Sequence, residues 1–206
     1  MRGKFIVLEG GEGAGKSTAA AFLKEQLPRE QFLFTREPGG TPFAEKVRAL
    51  MIAPEATGAS AEALFTLVWA GRFDHVKNVI KPALERGTHV ISERFDSSTF
   101  AYQIRGQETP ALEKLFWECR ALLGECIPDL YIWLDVSPEE GLHRMRENTR
   151  KAEPIDQFEA RELAFHTRVR AGLTEFFANV PVVKIDAGRP LGVVQQDVLS
   201  HVKMVT

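Results

Sequence analysis

The run Gly10-Gly11-Glu12-Gly13-Ala14-Gly15-Lys16-Ser17-Thr18 follows a short apolar stretch, Phe5–Leu8, and precedes residues with helical spacing. It fits the phosphate-binding pattern G-x-x-x-x-G-K-[ST]. A phosphate chain carries several negative charges, and side chains alone would need many cations to match it. The glycines let successive backbone N–H groups converge on phosphate oxygens, and a helix beginning near Lys16 turns its positive end to the same place. Lys16 adds a full charge for the β and γ phosphates, and the Ser17 hydroxyl is a ligand for Mg²⁺. ATP with Mg²⁺ is therefore expected on this loop. The reaction stays open, because kinases, GTPases, motor ATPases and regulatory ATP sensors all use it.

A second dense segment, Glu93-Arg94-Phe95-Asp96-Ser97-Ser98-Thr99-Phe100-Ala101-Tyr102-Gln103, places acids, an arginine, hydroxyls, a tyrosine and an amide just after another apolar run. The elements that must carry both segments are legible. Five β-branched or aromatic runs, Phe5–Leu8, Phe32–Thr35, His89–Ser92, Leu130–Leu134 and Val182–Ile185, read as buried strands. Helical stretches separate them: Ser17 towards Pro28, Ala61 to about Arg86 with a stop at Gly87, and Pro110 to Cys126 before Pro128. Ser137-Pro138-Glu139-Glu140 marks a helix start, with a capping hydroxyl, a proline at the first position and a glutamate at the third. The alternation predicts an α/β fold, a parallel five-stranded sheet with helices on both faces, whose ligands sit at the carboxyl ends of the strands.

The chain has 206 residues, 26 basic and 28 acidic side chains and 44% hydrophobic residues. That supports one domain over 1–206 and excludes disorder and collagen-like repeats. A net charge of −2 argues against a nucleic-acid groove. Cys119 and Cys126 are too few for a disulfide framework, and their spacing predicts two buried thiols on one helical stripe. The apolar residues after the basic start are too few for a signal segment, and no run approaches the roughly 20 residues that span a bilayer. A cytoplasmic protein with no membrane partner is expected.

Taken together, the loop with Glu12, the segment Thr35-Arg36-Glu37-Pro38-Gly39-Gly40-Thr41, the run from Glu93 to Gln103 and Pro128-Asp129-Leu130 with Leu134-Asp135-Val136-Ser137-Pro138-Glu139 resemble thymidylate kinases. The order and spacing hold over nearly the whole chain. The resemblance implies transfer of the γ-phosphoryl group of ATP to thymidine monophosphate in a P-loop nucleoside-monophosphate-kinase fold with a small lid, about 143–157, and a homodimer. It implies that Arg94 holds the acceptor phosphate, that Arg36 approaches it from the second strand, and that Tyr102 and Gln103 lie along the deoxyribose and base. Ser98 then stands near the base, Glu12 near the sugar 3′-hydroxyl, and Arg72 reads the base from the long second helix.

Three positions depart from the family pattern. Val68 stands where an aromatic ring stacks on thymine, which leaves Phe65 or Trp69 to supply a ring and makes a 5-substituted pyrimidine deoxynucleotide the alternative acceptor. Glu93 stands where an aspartate precedes the arginine, and is preferred to Asp135 as the acid near Mg²⁺; Asp135 is expected to be structural. The resemblance also assigns a lid arginine to catalysis. Arg146 and Arg150 share a helix face, and one of them is expected over the transferred group, whereas Arg144 points about 200° away from Arg146. Lys151 belongs to the same basic group, and Gln157 replaces an arginine of the family in Asp156-Gln157-Phe158-Glu159. From another class, a non-catalytic ATP-sensing module remains as an alternative.

Overall fold

The computed structural model describes residues 1–149 and 162–206. All five apolar runs are strands, and each extends one residue beyond its apolar stretch to end on a charged side chain: β1 (Phe5–Glu9), β2 (Phe32–Arg36), β3 (His89–Glu93), β4 (Leu130–Asp135) and β5 (Val182–Asp186). Neighbouring strands are parallel throughout, in the order β2-β3-β1-β4-β5. The register places Arg36 beside Glu93, Glu93 beside Leu8 and Glu9 beside Trp133. Polar side chains thus accumulate along one edge of the sheet.

The helices are α1 (Lys16–Gln26), α2 (Pro42–Ile52), α3 (Ala61–His75), α4 (Lys81–Glu85), α5 (Asp96–Thr99), α6 (Glu113–Ala121), α7 (Pro138–Thr149), α8 (Leu163–Phe177) and α9 (Leu191–Val205). Alternation along each strand sends side chains to two cores. On one face Phe5 and Val7 of β1 and Tyr131 and Trp133 of β4 meet Phe65 of α3, Phe116 of α6 and Phe176 of α8. On the other, Ile6, Leu8, Ile132 and Leu134 meet Leu23 of α1 and Val198 of α9. The link from β1 to β2 and the link from β3 to β4 therefore lie on opposite faces. Their divergence opens a crevice beyond the carboxyl ends of β1 and β3.

Local chemistry explains the boundaries. The Thr41 hydroxyl accepts from the Ala44 N–H at 3.0 Å ahead of Pro42, starting α2, and the Ser60 hydroxyl starts α3 in the same way. Ser137 caps α7 as expected, accepting from the Glu140 N–H at 3.2 Å. The stretch Ala61–Arg86 is not one regular helix. Pro82 has no N–H to give and its ring crowds the preceding turn. A wider π-helical turn, Val76–Ile80, with the Lys81 N–H bonded to the Val76 carbonyl, absorbs this before α4, and the chain stops at Gly87 at φ 83°.

The stretch Pro110–Cys126 is likewise broken. A 3-10 turn leads into α6, and Gly124 at φ 55° begins another 3-10 turn. The two cysteines consequently do not share a helical stripe: Cys126 is buried in that last turn and Cys119 on α6 is only half-buried. Phe116 and Leu123 belong to the core rather than to a free surface. No helix among the described residues is long and apolar enough to cross a membrane.

Candidate active site

The crevice holds a cleft of about 760 Å³ lined by the phosphate-binding loop on one side and by α2, α3 and the segment after β3 on the other. The loop between β1 and α1 takes left-handed backbone at Gly13 (φ 67°) and Gly15 (φ 87°), which side chains rarely adopt. A Cβ at Gly13 would come 2.1 Å from the Gly141 carbonyl oxygen, so the loop packs directly on the first turn of α7. Lys16 Nζ donates to the carbonyl oxygens of Gly10 (2.9 Å) and Gly11 (2.7 Å). The Ser17 hydroxyl donates to Glu93 Oε2 at 2.6 Å, which joins the loop to the end of β3.

Across the loop stands Arg94, at φ 64°. Left-handed backbone costs a non-glycine residue on the order of 1 kcal/mol, and here two bonds hold it: the Arg94 N–H donates to the Leu8 carbonyl at 2.9 Å, and the Ser92 hydroxyl donates to the Arg94 carbonyl at 2.8 Å. The guanidinium is thereby aimed back at the loop. Nη2 donates to Glu12 Oε1 (2.6 Å) and the Tyr102 hydroxyl (3.1 Å); Nη1 reaches Glu9 Oε1 (3.3 Å), the Gly10 carbonyl (3.3 Å) and the Ser98 hydroxyl (3.1 Å). Tyr102 donates its own proton to Glu12 at 2.5 Å, with its ring 4.9 Å from the guanidinium carbon.

Glu9 is fully buried beneath these groups. One of its oxygens accepts from the Gly10 N–H (2.9 Å) and Arg94; the other accepts from the hydroxyls of Ser97 (2.7 Å) and Ser98 (2.8 Å). Burial raises the Glu12 carboxyl, but Arg94, Lys16 and the Tyr102 hydroxyl outweigh it and bring it down to about 2. Burial, with Arg94 adding to it, lowers Lys16 to about 8 against the opposing pull of Glu12, Glu9 and Glu93. Burial also pushes Tyr102 well up, so its hydroxyl keeps its proton.

Further along the cleft, Arg36 donates to both oxygens of Glu45 at 3.0 Å and to the Pro38 carbonyl at 2.9 Å. Arg72 is 2% exposed, bonded to Glu37 Oε2 (2.8 Å) and the Phe95 carbonyl (2.9 Å). Val68, one turn before Arg72 on α3, and Gln103 complete this wall. The Thr99 hydroxyl and Arg72 Nη1 are buried with no hydrogen-bond partner among the described residues, and both residues line the cleft. Lys16, Ser17, Arg36, Val68, Arg72, Glu93, Arg94, Ser98, Tyr102 and Gln103 are thus brought to one cavity with Glu12.

The lid differs from the expectation. Arg146 is exposed on α7 and does not line the cleft, whereas Arg144 does, its Nε on Glu140 (2.7 Å) and its Nη1 on the Ala187 carbonyl (2.9 Å). Residues two apart on a helix face opposite ways, and α7 turns Arg144 inward. Arg150, Lys151, Asp156 and Gln157 lie outside the described residues. Asp135 is engaged away from the phosphate loop's lysine: Arg170 bonds both its oxygens at 2.7 Å and Lys184 lies at 2.9 Å. Sequence reasoning missed Glu9, Glu37, Arg48 and Thr99. Glu9 carried a signal of its own, an acid closing an apolar strand immediately before the glycine loop, and Glu37 and Thr99 lie within segments already singled out, whereas Arg48 carried none.

A family model described as thymidylate kinase matches residues 8–198. A thymidylate kinase of Teredinibacter turnerae is 38% identical, covering 96% of each chain, and one of Pseudomonas fluorescens is 40% identical over 97% of this chain and 95% of its own. The crystal structure of thymidylate kinase from Ehrlichia chaffeensis superimposes with a TM-score of 0.72 at 27% identity, covering 98% of this chain and 99% of that one.

The depressed Glu12 carboxyl predicts an acid sensitivity. Its stabilising effect is complete above the unfolded value near 4.5 and is lost as pH falls towards 2. In urea unfolding, the protein should lose about 2 kcal/mol more than its Glu12→Gln variant between pH 6 and pH 3. Parallel stability curves for the two proteins would refute the assignment.

Proposed function

Since the chain belongs to the thymidylate kinase family, and is accordingly a phosphotransferase that converts thymidine monophosphate to the diphosphate, we propose that its cleft holds ATP and the monophosphate end to end with Arg94 between them. The single observation that carries this is the position of Arg94, whose terminal nitrogens reach the phosphate loop at the Gly10 carbonyl and the Glu12 carboxylate and also the Ser98 and Tyr102 hydroxyls of the segment after β3.

On this reading the backbone N–H groups of residues 11–18 surround the β and γ phosphates and Lys16 adds its charge. The Ser17 hydroxyl and Glu93 carboxylate, 2.6 Å apart, suit Mg²⁺, which takes few protein oxygens and keeps waters and phosphate oxygens as its other ligands. A bound Mg²⁺ supplies charge neutralisation on the donor phosphates. No cluster of three or more His, Cys, Asp or Glu among the described residues offers a different metal site. Arg94, with Arg36 and Arg48 farther out, neutralises the acceptor phosphate so that two anions approach within bonding distance. Charge spread over the transferred group is met by groups already fixed in place, so little reorganisation is needed during transfer.

Glu12 and Tyr102 face the sugar, Ser98 the sugar–base junction, and Arg72 with Gln103 the base. Arg144 is the described lid cation that faces the cleft; Arg146 reaches the transferred group only with a rearrangement of α7. Closure there would exclude water, the competing acceptor. A homodimer is the assembly the family resemblance implies, and Phe43 and Leu50, both exposed and seven residues apart on α2, offer it an apolar face. The cytoplasm is the compartment that fits. Membership of a phosphotransferase family leaves no place for a non-catalytic sensor.

Arg94→Ala should lower kcat by about a hundredfold or more while the Kd for ATP stays within about twofold; unchanged turnover would remove Arg94 from the role given to it. Val68 favours a second acceptor class as well. Because a valine covers less of the base than a ring, 5-iodo-deoxyuridylate should be a substrate, and Val68→Phe should slow it relative to thymidylate. A coupled assay over both monophosphates decides this, and a wild-type enzyme inactive on the iodo compound would sink the second reading.

A further inference from the structure

Arg72 is held through two of its three nitrogens and offers the third. Nε is bonded to Glu37 and Nη2 to the Phe95 carbonyl, while the buried Nη1 has no hydrogen-bond partner among the described residues although Arg72 lines the cleft. The rings of Trp69 and Phe95 lie 4.6 Å and 5.0 Å from its guanidinium carbon. A free arginine stem has considerable rotamer entropy to lose on binding. Most of that loss is already taken by the fold.

The carboxylate that fixes Nε is itself fixed from behind. Glu37 Oε1 lies 2.9 Å from His75 Nδ1, and His75 Nε2 lies 2.7 Å from the Thr35 hydroxyl. Glu37, Arg72 and His75 are 6%, 2% and 0% exposed. A carboxylate only accepts, so Nδ1 is the donor to Glu37, and the ring's other nitrogen is engaged by the Thr35 hydroxyl. The loop is shaped around this ring. Gly40 sits at φ 92°, and a Cβ there would come 2.4 Å from His75 Nε2 and 2.9 Å from the Thr35 hydroxyl.

We infer that Glu37, backed by His75 and Thr35, is a positioning residue for acceptor recognition: it fixes the plane of the Arg72 guanidinium so that Nη1 meets a carbonyl oxygen of the base. It sets affinity for the monophosphate without touching the transferred group. This rests on the proposal that Arg72 faces the base. These contacts join β2 and the loop directly after it to α3, 35 to 40 residues further along the sequence. Preorganising one donor in this way lowers the cost of ordering it at each binding event.

The test is steady-state kinetics on the full chain with both substrates varied. Glu37→Gln keeps the shape and loses the charge. Its KM for thymidine monophosphate should rise about tenfold or more, with kcat and the KM for ATP within about threefold of wild type. In an Arg72→Met background the same change should add less than about twofold, because a residue that acts through Arg72 has nothing left to position. A carboxylate that merely held the fold together would add its own penalty there and disturb ATP as well. His75→Asn, which keeps a donor close to Nδ1, should stay nearer wild type than His75→Leu.

If Arg72→Met raises the acceptor KM and Glu37→Gln does not, the inference fails and the assignment of Arg72 stands. If Arg72→Met leaves that KM unchanged, the assignment itself fails. Should circular dichroism show Glu37→Gln unfolded, Thr35→Val removes only the outer hydroxyl and should raise the acceptor KM about threefold; an unchanged value overturns the inference equally.

Discussion

The site depends on burying two cations beside each other. Lys16 and Arg94 both reach the carbonyl oxygen of Gly10, and side by side in a poorly solvated crevice they repel. Glu9 and Glu12 make that arrangement stable. Glu9, inaccessible to solvent, uses four hydrogen bonds to tie the first loop amide, Arg94 and the start of α5 together. Glu12 closes the network from above through Arg94 and Tyr102. Removing one partner from such a buried set leaves an uncompensated charge, which costs far more than an exposed pair is worth. The same concentration of charge is what two phosphorylated substrates require.

The sheet explains why these groups meet. Every strand ends on a charged residue, and the parallel register aligns those ends along one edge. Hydrophobic alternation fixes each strand between two cores, so a one-residue slip would turn Glu9 and Glu93 to the wrong faces. Arg94 then follows β3 directly, and its left-handed backbone turns the side chain back over β1. A smaller polar set, Thr35, Glu37, Arg72 and His75, organises the far end of the cleft on the same plan, with a carboxylate holding an arginine.

Much of this is legible in the sequence, for identifiable reasons. The glycine loop and the five strands are local patterns, and the segment from Glu93 to Gln103 is dense enough in polar chemistry to stand out. Apolar runs stop at the first charge and so fall one residue short of each strand, yet that charge is the part of the strand that works. Helices α2, α8 and α9 are not among the stretches that the sequence pattern marks, and Pro82 and Gly124 break two long helical stretches that spacing alone makes continuous. Glu37 and His75 lie 38 residues apart and meet only through the packing of α3 against the loop after β2. No spacing rule reveals such a pair. In the lid, helical geometry correctly separates Arg144 from Arg146, but only tertiary packing shows that Arg144 is the one turned inward.

The most direct measurement is a crystal structure with a bisubstrate analogue, adenosine and thymidine joined through a polyphosphate. The guanidinium of Arg94 should contact phosphate oxygens on the acceptor side while loop amides and Lys16 hold the donor side, and Arg72 should remain on Glu37 with Nη1 on the base. An analogue bound with Arg94 still engaged only by Glu9, Glu12 and Tyr102, and its acceptor half outside the cleft, would contradict the account.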